Sequence, residues 1–313
     1  MSVFKETKEN IKEDVKESIF DRVEAELLKK PTYLPKEAPI KALFYGGDGT
    51  GKSGTALGFV ELIDIEADEK ILVVDLDIGN EPACLSYHRD VYERGNLILW
   101  EPSEWKEIEL PDGGADVVMD YKKTMAKIKA VGIWVKKNWE QYKIRAVILD
   151  GLSTLLKHSE WQMRIEKNID VSGGVTQRYW VTRNKTFLEM LQLYKSIPLD
   201  VVFIGNADFA VDPDDKDVAK IRRDTNDLMF QKVGFRVEET PDGKVQFWAK
   251  IEKSKQNLKN KGKRIMFAEV DLKNEEADYY WDPSEVIKNL RPDPNAKNKA
   301  RRKRGRRVTE ASE

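Results

Sequence analysis

The sequence predicts an α/β fold built on a mostly parallel central sheet, and three observations carry that prediction. A glycine-rich segment at 46–53 lies between an apolar run at 41–45 and a helical apolar pattern at 55–63. Two further apolar runs each end in an acid, at Asp77 and at Asp150. Strand patterns alternate with helical patterns to about residue 207, which is typical of parallel sheets whose crossovers are helices.

The glycine-rich segment matches the pattern G-x-x-x-x-G-K-[ST] in full. Backbone N–H groups can surround a phosphate only if the turn is nearly free of Cβ atoms, and glycine permits this. In this pattern the lysine reaches the β- and γ-phosphates, and the hydroxyl binds Mg²⁺. We therefore expect a nucleotide and Mg²⁺ here. The segment and the residue after it are Gly46, Gly47, Asp48, Gly49, Thr50, Gly51, Lys52, Ser53 and Gly54.

The remaining elements follow from periodicity and turn chemistry. Apolar runs at 71–77, 96–100, 145–150 and 199–206 predict buried strands, and 117–142 and 185–195 have helical patterns. Residues 208–230 are polar and rich in helix breakers, which indicates a loop. Antiparallel strands are predicted at 232–239, 245–251 and 264–270, with a hairpin turn at 241–243.

The two ends differ in composition from the middle. Residues 1–36 are predicted to form an amphipathic helical arm, either packed on its own domain or docked on a neighbouring subunit. The nucleotide-binding domain would span 37–285, and 286–313 would be a basic disordered tail. Residues 297–307 hold eight basic residues, so the remainder of a chain with net charge −1 carries −9. Such a block often contacts polyanions.

Composition excludes several classes of protein. The chain has 313 residues, and none of its apolar runs approaches the ~18–20 residues of a membrane span. Its N-terminus has no apolar signal region, so we expect a soluble, cytoplasmic protein. Cys84 is the only cysteine and there are two histidines. A disulfide framework and a Cys/His zinc site are therefore excluded.

Acids at the strand ends are candidates for metal binding and catalysis. Asp150 ends a strand at the edge where the nucleotide would lie, so we expect it to hold Mg²⁺ with Ser53, although it could instead cap a helix. Asp77 is the first candidate for the general base and Glu81 the second. Asp75 would share the side of the strand with Asp77. Any of these acids could merely cap the next helix.

Asn206 ends the last core strand. A buried amide there could touch both the γ-phosphate and the following loop, and so report whether the nucleotide is intact. The alternative is an Asx turn into Asp208.

The order of these motifs resembles the RecA-type ATPase core, over about residues 38–270. The resemblance implies ATP as the nucleotide, with residues 46–53 as its phosphate loop. It also implies that one strand lies between the strand before this loop and the strand that ends at Asp150. The catalytic carboxylate of that family is usually Glu, so Asp77 departs from it. Size and the segment at 177–185 look most similar to RecA-core recombination and single-strand-annealing proteins of phages and archaeal mobile elements.

The same resemblance implies further residue roles. Lys253 and Lys255 match a K-x-K finger that reaches the ATP site of an adjacent subunit; they could instead simply protect an edge strand. Two DNA-facing loops would map to 159–180 and 208–230. Candidate nucleic-acid contacts in these loops and the tail are Arg178, Lys220, Arg222, Arg223, Arg301, Arg302, Lys303 and Arg304.

Together these features favour a RecA-like ATPase that binds single-stranded DNA and oligomerises as a ring or filament, in recombination, annealing or replication. A ring helicase or packaging motor would use the same residues. A nucleotide-dependent switch or scaffold with slow hydrolysis is a third hypothesis, which the acidic body and the Asp at position 77 favour mildly.

Overall fold

The computed structural model describes residues 38–109, 113–170, 173–206, 224–271, 273 and 280–291. The predicted arm at 1–36, most of the loop at 208–230 and residues 292–313 of the predicted tail at 286–313 lie outside them, whereas residues 286–290 of that predicted tail are helical. No helix within the described ranges is both long enough and apolar enough to cross a membrane.

One large sheet dominates the described chain. The strands are β1 (Lys41–Gly46), β2 (Lys70–Asp75), β3 (Leu97–Trp100), β4 (Trp105–Glu109), β5 (Ala115–Met119), β6 (Ile144–Asp150), β7 (Asp200–Asn206), β8 (Gln231–Glu239), β9 (Lys244–Ser254), β10 (Arg264–Asp271) and β11 (Tyr280–Trp281). Nine of them form the large sheet in the order β11-β10-β9-β8-β1-β7-β6-β2-β3, and β4 pairs with β5 in a separate hairpin. In the large sheet, the strands from β8 to β3 run parallel to their neighbours, whereas the pairs from β8 to β11 are antiparallel.

Helices cover both faces of this sheet. They are α1 (Lys52–Leu57), α2 (Glu81–Tyr87), α3 (Arg89–Glu93), α4 (Tyr121–Asn138), α5 (Leu152–Glu166), α6 (Gln177–Lys195) and α7 (Ser284–Leu290). Phe44 of β1 packs on one face with residues of α1 and α7, and Leu43 packs on the other with residues of α4, α5 and α6. The predicted fold class is therefore confirmed.

Strand β7 lies between β1 and β6, as the RecA-type resemblance implied. Its register places Asn206 beside Gly46, the first residue of the phosphate loop. On the other side of β6, Asp150 lies beside Asp75 of β2. The carboxyl ends of four strands therefore bring these side chains to one edge of the sheet.

Three predicted elements differ from the structure. Part of the loop predicted at 208–230 is helical, at 224–228. The predicted helix at 117–142 begins only at Tyr121, because 115–119 pair with 105–109 as a hairpin. The β-branched Val117 and Val118 suit that strand, and the Asp120 side chain accepts a hydrogen bond from Lys123 N at 3.1 Å to start the helix. The predicted DNA loop at 159–180 is largely helical, because α5 runs to Glu166 and α6 begins at Gln177.

Candidate nucleotide-binding site

The phosphate loop connects β1 to α1 with a backbone that requires glycine. Gly49 and Gly51 have φ angles of 68° and 83°, in the left-handed region that side chains disfavour. A Cβ on Gly46 would lie 2.5 Å from the carbonyl oxygen of Phe235 on β8. These positions therefore form a turn whose N–H groups and helix N-terminus suit an anion.

Lys52 lies folded over this loop. Its Nζ donates hydrogen bonds to the carbonyl oxygens of Gly46, at 3.1 Å, and Gly47, at 2.6 Å. Burial lowers the pKa of Lys52, and the carboxylates of Asp48, Asp150 and Asp77 oppose that shift. The ammonium is thus held at the loop, with acidic side chains around it.

Ser53 and Asp150, the two residues expected to hold Mg²⁺, are in direct contact. The Ser53 hydroxyl donates to Asp150 Oδ2 at 2.6 Å, and Asn80 Nδ2 donates to the same oxygen at 3.0 Å. Burial raises the pKa of Asp150; the two hydrogen bonds lower it, and the charges of Asp77 and Asp75 raise it further.

This pair fits Mg²⁺, which in nucleotide sites takes one or two protein oxygens and completes its shell with phosphate and water. A hydroxyl and a carboxylate oxygen converge at Ser53 and Asp150. In the described ranges, no group of three or more His, Cys, Asp or Glu residues is arranged to hold a metal by itself. A site completed by a nucleotide agrees with both observations.

Asp75 supports a turn. It is only 2% exposed, and its carboxylate accepts hydrogen bonds from the backbone N–H groups of Ile78, Gly79 and Asn80 at 2.9–3.1 Å. Because Asn80 in turn contacts Asp150, this turn positions the amide that bonds the candidate metal ligand.

Asp77 lies beyond the end of β2 and is exposed. Its Oδ1 accepts a hydrogen bond from the Thr154 hydroxyl of α5, and a Cβ on Gly151 would lie 2.7 Å from that oxygen. Its charge acts on both Lys52 and Asp150, so it lies near the candidate phosphate site. Glu81, the second candidate, is exposed in the first turn of α2.

Lys253 and Lys255 lie at the end of β9. The Lys253 ammonium donates to the backbone carbonyl of Asn226, and burial and then the charge of Lys255 lower its pKa. Lys255 is exposed. Beside them, the buried Lys232 ammonium lies 3.4 Å from Glu252 and 4.4 Å from the centre of the Tyr45 ring. Lys253 is therefore held by a backbone carbonyl of its own chain.

Aromatic rings form a wall beside the phosphate loop. A Cβ on Gly51 would lie 2.9 Å from the Phe267 ring, and one on Gly54 would lie 2.8 Å from the Trp281 ring. Trp281 stacks on Tyr87 with ring centres 5.9 Å apart, and Tyr87 is 58% exposed. A flat, accessible aromatic surface thus adjoins the start of α1.

The remaining predicted residues are Asn206 and the nucleic-acid contacts. Asn206 is half-buried at the end of β7, and Arg178 is exposed in the first turn of α6. The other candidates lie outside the described residues: Lys220, Arg222, Arg223, Arg301, Arg302, Lys303 and Arg304.

Sequence reasoning missed Asn80, Thr154 and the aromatic wall. Asn80 follows an acid-ended strand and a glycine, a position at which a polar side chain can face the site. Trp281 is more than 200 residues from Gly54 along the chain, so only the tertiary fold brings them together.

No protein-family model matches the chain, and no curated protein sequence matches it. Among solved structures, it is similar to a KaiC-like protein from the hyperthermophilic archaeon Pyrococcus horikoshii OT3. The two share 15% identity with a TM-score of 0.42, over 74% of this chain and 86% of the other. Likeness at that level assigns no function, so the function must be argued from the site itself.

Proposed function

We propose that this chain is a RecA-like ATPase that binds ATP with Mg²⁺. The observation that carries the proposal is the 2.6 Å contact between Ser53, in the phosphate loop, and Asp150, at the end of a different strand. A chance glycine-rich turn gives no reason for a buried carboxylate to meet the hydroxyl that would bind Mg²⁺.

In this proposal the backbone N–H groups of the loop and Lys52 hold the β- and γ-phosphates. Ser53 and Asp150 would hold Mg²⁺, which supplies charge neutralisation at the transferred phosphoryl group. Asp77 would orient the attacking water and accept its proton, while Thr154 fixes the carboxylate. Asn206, beside Gly46, would sense the γ-phosphate.

The base would stack on the aromatic wall. Trp281 lies beside Gly54, one residue beyond Ser53, and Tyr87 stacks on Trp281, so a nucleotide held by the loop could bring its base to these rings. Aromatic stacking binds bases without requiring a particular hydrogen-bond pattern. The wall therefore gives affinity, with little discrimination between purines.

We further propose that a neighbouring subunit completes the site. Around Lys52 lie Asp48, Asp77 and Asp150, so the local acids outnumber this lysine even before a triphosphate arrives. Lys253 and Lys255 are the candidates to supply positive charge to an adjacent subunit of a ring or filament, as an arginine finger does.

Mixed oligomers test that arrangement. Lys52→Ala and Lys253→Ala proteins should each be inactive alone, and mixing them should restore part of the ATPase activity, because some sites then combine an intact loop with an intact lysine. If Lys253→Ala alone stays active and the mixture shows no recovery, the lysine does not act on a neighbour.

The proposed macromolecular partner is single-stranded DNA, in recombination, annealing or replication. What supports it is the RecA-type motif order and the basic block at 297–307. ATP hydrolysis measured with and without oligonucleotide tests it: stimulation would support a DNA-dependent ATPase, and unwinding or translocation would indicate a helicase or motor. Hydrolysis that is slow and insensitive to nucleic acid would favour a switch or scaffold.

A further inference from the structure

Helix α4 carries a concentration of positive charge that the proposed ATP site does not use. Its 18 residues include six lysines and no acidic residue, although the chain as a whole has a net charge of −1. All six are exposed. We call them the α4 lysine face: Lys122, Lys123, Lys127, Lys129, Lys136 and Lys137.

Most of this charge is not neutralised by the residues that the structure describes. Lys123 lies 3.9 Å from Asp120, and Lys127 forms an ion pair with Glu104. The other four lysines make no side-chain hydrogen bond or ion pair with any residue that the structure describes. Lys122, Lys129 and Lys136 are spaced by seven residues, so they line one side of the helix at intervals of about 10 Å.

The lysines of the first half of α4 are unfavourable for the isolated helix. Lys122 and Lys123 lie in the first turn, where positive charge opposes the helix dipole, and that turn has no acid. Lys123 and Lys127 are also like charges four residues apart, which repel. Lys136 and Lys137 lie in the last turn, where positive charge complements the dipole, so helix stability accounts for this pair and leaves the lysines of the first half for an anionic partner to explain.

Two exposed aromatic rings lie within the same surface. Trp134 is 40% exposed and Tyr142, just beyond the helix, is 45% exposed; their ring centres are 4.8 Å apart. Trp134 lies seven residues after Lys127, so it shares the Lys127 side of the exposed half of α4, across that half from the row formed by Lys122, Lys129 and Lys136. An acidic protein surface would use the lysines alone, whereas unpaired bases would use both the lysines and the ring faces.

We infer that the α4 lysine face, with Trp134 and Tyr142, binds single-stranded nucleic acid: the lysines contact phosphates and the rings stack on bases. This rests on the proposed nucleic-acid partner, and assigns the contact to residues outside the predicted loops and tail.

The test is binding of a fluorescent oligothymidylate to the full chain, by anisotropy over a range of salt concentrations. Replacing Lys122, Lys129 and Lys136 together by Gln should change the salt dependence of binding. The slope of the logarithm of the binding constant against the logarithm of the salt concentration should become less steep by about 2 units. Trp134→Ala should weaken binding roughly ten-fold without changing that slope, and Trp134→Tyr should retain most of the affinity. A matched control neutralises Lys157, Lys250 and Lys261, three exposed lysines on other elements.

Each outcome decides the question. A slope that changes only in the α4 triple variant supports the inference, provided that circular dichroism and thermal melting show both triple variants to be folded. Equal changes in both triple variants would mean that only net charge matters, which overturns it. Unchanged oligonucleotide binding with altered oligomer mass would identify a protein interface instead. If the wild type itself binds no oligonucleotide, the proposed DNA partner is wrong as well.

Discussion

The hydroxyl of Ser53 donates a 2.6 Å hydrogen bond to Asp150, although the two residues are 97 positions apart. The contact exists because β1 and β6 are parallel strands, separated by β7, whose carboxyl ends meet at one edge of the sheet. It joins the candidate phosphate loop to the carboxylate that would hold Mg²⁺.

Asp150→Asn should abolish most ATP hydrolysis while making the fold more stable at neutral pH. Turnover should fall by about 100-fold or more, because the Mg²⁺ ligand loses its charge. Burial raises the pKa of Asp150, so ionising it costs folding free energy as pH rises above the ordinary carboxyl pKa.

Chemical denaturation at several pH values checks this. The advantage of Asp150→Asn over wild type in unfolding free energy should be largest at pH 7 and should shrink as the pH falls, because Asp150 then becomes protonated and loses its charge. An advantage that does not vary with pH would show that Asp150 is not a strained, ionised group.

Asp75 and Asp77 should separate into a structural and a functional residue. Asp75→Asn removes one of the two carboxylate oxygens that bind the 78–80 turn, and should cost about 2–4 kcal/mol in unfolding free energy. Asp77 is exposed, so Asp77→Asn should change the free energy of unfolding by less than about 0.5 kcal/mol while lowering kcat. Thermal melts and steady-state kinetics on both variants test the division; an active Asp77→Asn enzyme would transfer the role to Glu81.

Tyr87→Ala should weaken ATP binding roughly ten-fold, because the base loses one stacking ring. Binding of inorganic triphosphate should be unaffected, since it has no base, and Tyr87→Phe should behave as wild type. Calorimetric titration with both ligands tells these apart. Equal loss of affinity for ATP and triphosphate would mean that Tyr87 supports the phosphate loop instead.

His158 should make stability sensitive to acid. It is 4% exposed, and burial lowers its pKa to about 4 from an ordinary value near 6.5. Between pH 6.5 and pH 4, His158 is protonated in the unfolded chain but not in the folded one. The free energy of unfolding therefore keeps its full value above pH 6.5 and declines as the pH falls to 4. The decline attributable to this group is at most about 3 kcal/mol.

His158→Gln should remove most of that decline, as measured by denaturant unfolding from pH 7 to pH 4. His88→Gln is the control. Burial lowers the pKa of His88 as well, but the charges of Glu61 and Asp90 oppose that shift, so this variant should remove less of the decline. Because Asp150 contributes in the opposite direction in both proteins, the contradicting result is a His158→Gln profile that has the same shape as that of the wild type.

The candidate nucleotide site was predictable where one local motif carries it. Lys52, Ser53 and Asp150 were identified because glycine spacing and a strand ending in an acid are properties of short segments. The resemblance to the RecA-type core implied a strand between β1 and β6, and the pairing of β7 with both strands confirms it. Asn80 and Trp281 were not found, since their contacts depend on a turn held by Asp75 and on a strand far along the chain.

The hairpin at 105–119 shows a different limit. Only Asp120 lies between its second strand, β5, and the start of α4. The apolar pattern from 117 onward is therefore continuous, and it predicts one helix over 117–142. The pairing of Trp105 with Met119, which decides the structure there, is a tertiary relationship.

The central claim is that Gly46–Ser53 and Asp150 form an ATP-hydrolysing site, and Mg²⁺-dependent phosphate release from ATP by the purified chain tests it most directly. We expect release that stops with chelator and that falls at least about 100-fold in Lys52→Ala, whose thermal melt should stay close to that of wild type. Equal phosphate release by the wild type and Lys52→Ala, or no ATP binding by a folded wild type, would contradict the claim.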